Sequence, residues 1–473
     1  MAGFFTINEQ KIRPGVYDRY ENYGSLPAAG ADDGKCACVL RSDWGPTDSV
    51  RILESCEDIS KVYGSGGTTA VPVEQFKGGA KLVYAVRLGI GGTKGSYQIM
   101  DSAETAKAVI KLELKYVGSR KFNITIRPTL ADETKKELLL LENTTVVEKF
   151  TFDAGENEAE NLLNAAAESS YFTLSKITDT TEAIAAIDQA EITVGTDPTV
   201  NVESYSVAFT LLEAYRWNVL AIDTDDTAVQ SLAQMFVNRI FEDGKLTMLV
   251  VGEGKNIPFE TRLNHAQSFN DKQVIYVGNG FTDTSGAVYE GCLAAARISG
   301  LIAGTPSNES ITRLSVKGAA SLTEAFTNSQ YERAIKAGML TFSLSPSNSV
   351  WVESGINTLV APASNEDAGW KKIKRTKIRF ELHQRANDTV EPLIGRINNN
   401  DDGRMAVVQV LGEVCNSMVA EGKLMSGAYC EVDPNNAPQG DSAWFVIYAD
   451  DIDSLEKLYL TFKFRFAPET ETE

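Results

Sequence analysis

Two histidines, His265 and His383, are all the imidazole that 473 residues supply, which excludes His-rich metal sites and most imidazole-based catalysis. A Ser-His-Asp relay would have to use His265, which stands just before a core strand, but no Ser occupies a G-x-S-x-G elbow. Gly89, Gly91, Gly92 and Gly95 follow a strand as a dinucleotide loop would, yet Lys94 stands where the last glycine of that fingerprint belongs. The cluster reads as a flexible entry into an inserted segment. Gly252-Glu253-Gly254-Lys255 lacks the length and the closing Gly-Lys-Ser/Thr of a phosphate loop. Asn398 to Gly403 imitates a calcium loop, but Asn opens it and Gln409 replaces the bidentate carboxylate, so a turn and helix cap is expected. Asp223-Thr224-Asp225-Asp226 ends a strand where α/β folds place ligands, and helix capping accounts for it more simply. The six cysteines read as reduced, mostly buried thiols. No catalytic residue, cofactor or metal is expected.

One charge pattern stands out. Lys371, Lys372, Lys374, Arg375, Lys377 and Arg379 place six bases in nine positions with no acid among them. The chain as a whole carries 45 Lys and Arg against 64 Asp and Glu, a formal charge of −19. Such a balance repels phosphate backbones, so nucleic acid is a poor partner. The run reads either as a solvated strand face or as a docking surface for an acidic protein. No apolar run approaches the roughly 18 residues of a membrane span, and Met1 to Thr6 lacks a signal peptide's basic and apolar regions, so synthesis in a cytoplasm is expected.

The elements that would position these residues form an α/β multidomain chain, since 473 residues at roughly 150 per domain allow about three domains. Residues 1–22, with Arg13-Pro14-Gly15-Val16-Tyr17, read as an extended arm. Residues 23–95 and 198–360 alternate strand and helix as a central doubly wound domain. Its strands include Leu82 to Val86, Asn218 to Ile222, Leu246 to Val251, Gln273 to Val277 and Met339 to Phe342. Val229, Leu232, Ala233, Phe236, Val237 and Ile240 share one helix face. Residues 96–197 read as a mostly β insertion around one acidic helix, Glu156 to Ser169. Residues 361–454 form an α+β C-terminal domain with a basic strand and an amphipathic helix carrying Val407, Leu411, Val414 and Met418. Residues 455–473 are a strand arm in which Leu458, Leu460, Phe462, Phe464 and Phe466 alternate unbroken with polar neighbours and Tyr459.

Several stretches carry a resemblance: Ala295-Ala296-Arg297-Ile298-Ser299-Gly300-Leu301-Ile302-Ala303-Gly304-Thr305-Pro306 with Ser310, Thr312 and Lys317-Gly318-Ala319; Ala334 to Leu340; Ile356-Asn357-Thr358-Leu359; and Gly395-Arg396-Ile397-Asn398. With the early Arg13 to Tyr17, this order resembles contractile tail sheath proteins of bacteriophages and phage-tail-like bacteriocins. The resemblance implies a non-enzymatic subunit whose central domain is subtilisin-like in shape only. Such subunits stack as six-membered rings in a helix around an inner tail tube, between baseplate and terminator or collar proteins. They contract to drive the tube through a cell envelope. The particle would be assembled in a bacterial cytoplasm and leave it on lysis.

A strand from Leu455 to Phe466 reaches about 40 Å at roughly 3.3 Å per residue, enough to cross to a neighbour. On the sequence alone that strand could equally complete its own domain's sheet; the resemblance implies exchange between subunits through Phe4, Phe5, Ile7, Ile12, Val16 and Tyr17 at one end and Leu458 to Phe466 at the other. Lys371, Lys372, Lys374, Arg375 and Lys377 are expected to face the inner tube. The competing readings are a static capsid-like or surface-layer-like assembly protein and an α/β enzyme.

Overall fold

The computed structural model describes residues 33–364 and 366–465, together with the short strands Gly3–Phe4 and Tyr17–Asp18. It divides into two compact units, Asp32–Phe380 with Asp453–Glu473, and Met1–Ala31 with Glu381–Ile452. Of the N-terminal arm, Gly3–Phe4 and Tyr17–Asp18 pair with each other in parallel. Phe5, Ile7, Ile12 and Val16 lie outside the described residues, as does Phe466.

Near-continuous apolar strands require cover on both faces, and the larger unit supplies it. Its seven-stranded sheet runs, in spatial order, Met339–Leu340, Val274–Val277, Met248–Gly252, Val219–Ala221, Lys35–Leu40, Leu82–Arg87 and Arg51–Leu53. All neighbours are parallel except the last pair. Alternate residues enter opposite cores: Cys36, Cys38 and Leu40 one, Ala37 and Val39 the other. The expected strand from Met339 to Phe342 divides. Met339–Leu340 stays in the sheet, while Phe342–Leu344 pairs antiparallel with Val350–Val352. The Asn279 amide causes the break, since it accepts from the Phe342 N–H and donates to its carbonyl, replacing a ladder partner.

Helix Cys292–Gly304 is buried over most of its circumference and packs on Ala70–Gly78. Small residues make that approach possible. A Cβ on Gly300 would lie 2.0 Å from the Gln75 carbonyl oxygen, and one on Gly304 would lie 2.4 Å from that of Gly79. The buried Gln75 amide donates to Ser299 Oγ at 3.1 Å and to the Ala37 carbonyl at 3.0 Å, tying both helices to the sheet. This is the physical content of the Ala295 to Pro306 signature.

The insertion leaves and returns through the bridges Ile90–Thr199 and Thr93–Thr196. Two antiparallel sheets enclose a core of its own that includes Ile99, Leu112, Ile124, Leu138 and Phe172. Its helix is shorter than expected, Glu158–Ala165. The buried Arg87 guanidinium holds the stem, donating to the carbonyls of Ser42, Gly45 and Val117.

The division falls after Phe380 rather than near residue 360, because the basic segment is a helix and not a strand. Asp367 accepts from the Gly369 N–H to open a 3-10 turn, Ala368–Lys371, and the helix Ile373–Val390 follows. Ile373, Thr376, Lys377 and Phe380 recur at helical spacing, and Ile373 and Phe380 enter the central core. That period overrides the alternation read from the sequence. Helix Asp401–Ala420 is capped by Asn400, which accepts from Gly403, so the calcium-like run is a cap as expected. Two strands, Tyr429–Val432 and Phe445–Tyr448, pair antiparallel. Residues 452–465 lie in no helix or strand, against the expectation of a closing strand, because they have no ladder partner among the described residues.

Gly300→Ala is expected to destabilise the chain by about 1–3 kcal/mol through overpacking. Gly412→Ala, at a helical position with open space around it, should stabilise it by about 0.5–1 kcal/mol. Denaturant titration of both variants checks the contrast.

Candidate functional site

Residues 457–465 expose side chains that a soluble chain ordinarily buries. Leu458 is 67%, Phe462 74%, Phe464 85% and Tyr459 89% exposed. A contiguous apolar stretch of this kind marks an interaction surface. Its root is different. The Glu456 carboxylate is paired with the Lys372 ammonium and accepts from the Thr312 hydroxyl at 2.9 Å.

The smaller unit carries a complementary feature. Its two-stranded sheet packs on helix Asp401–Ala420, with Leu411 against Cys430, and has both outer edges unpaired among the described residues. Beside Phe445–Tyr448 lies a cavity of about 460 Å³ lined by Val390, Leu393, Ile397, Leu411, Phe445 and Ile447, among others. An ion-pair network stiffens the same unit. Arg385 holds both Glu421 oxygens at 2.7 Å, and Lys423 bridges Glu381 at 2.7 Å and Glu421 at 2.5 Å. The Arg385 hydrogen bonds, with help from Lys423 and Ser417, pull the Glu421 carboxyl down to about 2.

The basic run does not make the surface patch expected of it. None of its six bases is exposed. Lys372 pairs with Glu456 and lies 3.5 Å from Asp453. Lys377 donates to the carbonyls of Ile302 and Thr305 at the C-terminal end of helix Cys292–Gly304, where a cation is favoured. Arg379 bonds Asp367 at 2.8 Å and stacks over Trp370. Lys374 is buried, Arg375 is half-buried, and Lys371 reaches the Lys336 carbonyl at 3.3 Å. Helical winding brings Lys371, Lys372, Lys377 and Arg379 to partners within their own unit.

The chemistry-bearing candidates are engaged in structural bonds. His265 Nδ1 lies 2.9 Å from the buried Glu253 carboxylate, which also accepts from the Tyr276 hydroxyl. Asp223 takes the Arg41 guanidinium at 2.7 Å and the hydroxyls of Thr68 and Tyr205 at 2.8 Å. Arg41 and Asp223 follow the adjacent strands at which the sheet order reverses, the crevice where doubly wound folds bind ligands. The ion pair fills it. Asp226 caps its helix by accepting from Ala228, and Asp225 accepts from the Cys292 N–H at 2.6 Å. Burial raises the Asp225 carboxyl and pushes the Cys36 thiol up to about 12. Among the described residues, no group of three or more His, Cys, Asp or Glu could hold a metal ion. Sequence reasoning missed the groove, whose lining comes from three separate segments, and the Glu456 contacts, whose partners lie 84 and 144 positions away.

This architecture is that of tail sheath proteins. Residues 199–358 match the family model described as the phage tail sheath protein central domain. The chain is 22% identical over 408 residues to the phage-like element PBSX protein XkdK of Bacillus subtilis (strain 168), covering 83% of this chain and 82% of that one. It superposes on the crystal structure of a sheath tail protein from Desulfitobacterium hafniense with a TM-score of 0.70 and 20% identity, covering 93% of this chain and all of that one. It also superposes on the helical sheath of the anti-feeding prophage in its contracted state, with a TM-score of 0.56 and 10% identity, covering 96% and 99%. The resemblance to contractile tail sheath proteins read in the sequence holds, carried by the central domain and by a fold shared along nearly the whole chain.

Because the Glu421 carboxyl sits below its ordinary 4.5, its pairing adds stability above about pH 4.5, withdrawn as pH falls toward 2. Relative to the intrinsic exchange rate, which itself slows as pH falls, the protection of amides in helix Asp401–Ala420 should therefore drop over that interval, and Glu421→Gln should flatten the dependence. An equally steep profile in the variant would refute the assignment.

Proposed function

We propose that this chain is the repeating structural subunit of a contractile sheath. Copies stack as six-membered rings in a helix around an inner tube and shorten to drive that tube through a cell envelope. A baseplate lies at one end and terminator or collar proteins at the other. The assembly is built in a bacterial cytoplasm and released as part of a phage-tail-like particle. The chain acts by assembly and contraction, without catalysis.

One observation carries this reading: the segment 457–465 lies in no helix or strand, with its large apolar side chains in water. Donated to the sheet edge of another copy, it gains main-chain hydrogen bonds and buries Leu458, Leu460, Phe462 and Phe464. At roughly 1.5–3 kcal/mol each, these give an upper bound of about 6–12 kcal/mol before ordering costs. The acceptor in this reading is the narrow sheet of Tyr429–Val432 and Phe445–Tyr448 with its neighbouring groove. The N-terminal arm, Phe4 to Tyr17, is the second donor. Strand links of this kind join copies head to tail, and contacts that do not close generate open helical assemblies. Because the linked segments are extended, the bulky units can repack while the links persist.

Direct contact of Lys371, Lys372, Lys374, Arg375 and Lys377 with the inner tube is replaced in this reading. Lys371, Lys372 and Lys377 are engaged by their own unit, and the proposed role of Lys372 is to hold the tail.

Deleting residues 1–17, or those after Leu455, should leave folded, soluble monomers that build no tubes under electron microscopy. Normal sheaths from either truncation would overturn the exchange of arms.

A further inference from the structure

Burial along the tail is inverted. The Glu456 side chain is 15% exposed, while Leu455 is 79% and Leu458 67% exposed. A segment resting casually on its unit would bury the leucines and leave the acid in water.

What holds the acid is a built set of groups. The Lys372 ammonium, between the turn Ala368–Lys371 and the helix Ile373–Val390, pairs with the carboxylate and lies 3.5 Å from Asp453. Its backbone is fixed in turn by a bridge to Ile356 and by its N–H, which donates to the Gly369 carbonyl at 3.0 Å. From the other side Thr312 Oγ1 donates to Glu456 Oε1 at 2.9 Å, and Ser310 Oγ lies 3.5 Å from the same oxygen. The Thr312 oxygen accepts from the Gly355 N–H at 2.9 Å and from the Ser310 hydroxyl at 3.0 Å. A hydroxyl has one proton, and with both acceptor positions taken it points at Glu456. Ser310 and Thr312 belong to the stretch that carried the sequence resemblance, and their hydroxyls also hold the local backbone, Ser310 accepting from the Thr312 N–H at 3.1 Å.

We propose that Ser310, Thr312 and Lys372 form a clasp for Glu456 that fixes the root of the tail, so that only residues from Lys457 onward are available to a second copy of this chain. The clasp sets the reach of the link. The nine described residues 457–465 span about 30 Å at roughly 3.3 Å each, and releasing residues 453–456 would add about 13 Å of slack. It also keeps the apolar side chains off their own unit, ready for an acceptor. The inference rests on exchange of the tail between copies.

The test uses full-length Glu456→Ala, Lys372→Met and the swapped pair Lys372→Glu with Glu456→Lys, measured first as monomers by hydrogen exchange and then by sedimentation of assembled tubes. In the single variants, exchange at residues 453–456 should accelerate about tenfold while the central sheet is unchanged. The concentration needed for tube formation should rise about tenfold, and the swapped pair should restore both toward wild type. Unchanged exchange at 453–456 in Glu456→Ala, or tubes forming at the wild-type concentration with the root released, would overturn the proposal. A chain ending at Leu455, assayed in parallel, separates the two ideas. If it still polymerises, exchange of the tail fails, and the monomer measurement alone decides whether the clasp exists.

Discussion

Backbone amides and apolar side chains in an extended segment find satisfaction only in a ladder and a covering surface, and residues 457–465 have neither within the described chain. The seven-stranded sheet ends at Arg51–Leu53 on one side and Met339–Leu340 on the other, and helices cover both its faces. The acid at the root of the tail is held by Lys372 and Thr312. The result is a packed body with an exposed apolar segment attached at a defined point.

Rigidity and adhesion are divided between different kinds of interaction. The central body depends on close helix contact at Gly300 and Gly304 and on buried polar ties such as Gln75 to Ser299 and Arg297 to Glu74. These have little tolerance for displacement, since a packed interior transmits strain rather than absorbing it. The tail is bound at its root through Glu456 and Asp453, and residues 457–465 are exposed. A polymer whose bodies must change neighbours without falling apart needs both properties.

The central sheet was legible because strands buried on both faces read as apolar runs between capped helices. Val274 to Val277 and the helix from Thr227 to Glu242 lie where the pattern places them. The basic run was misread because Ile373, Ile378 and Phe380 interleave with bases in a way that mimics alternation, whereas the contacts that matter recur at helical spacing. The tail was read as a strand with one apolar face, but a strand is a relation between two segments, and among the described residues 457–465 have no partner and both alternating sets of side chains are exposed. The clasp was illegible for a related reason: Ser310, Thr312, Lys372 and Glu456 are far apart in the chain, and no local period links them. Their meeting follows from the fold of the larger unit.

A reconstruction of the assembled polymer, resolving the backbone of residues 457–465, bears most directly on the central claim. The account predicts this segment hydrogen-bonded as an added strand on the Tyr429–Val432 and Phe445–Tyr448 sheet of another copy, with Glu456 still seated on Lys372 of its own. A tail folded back and paired within its own subunit, with no neighbouring backbone bonded to it, would contradict the account.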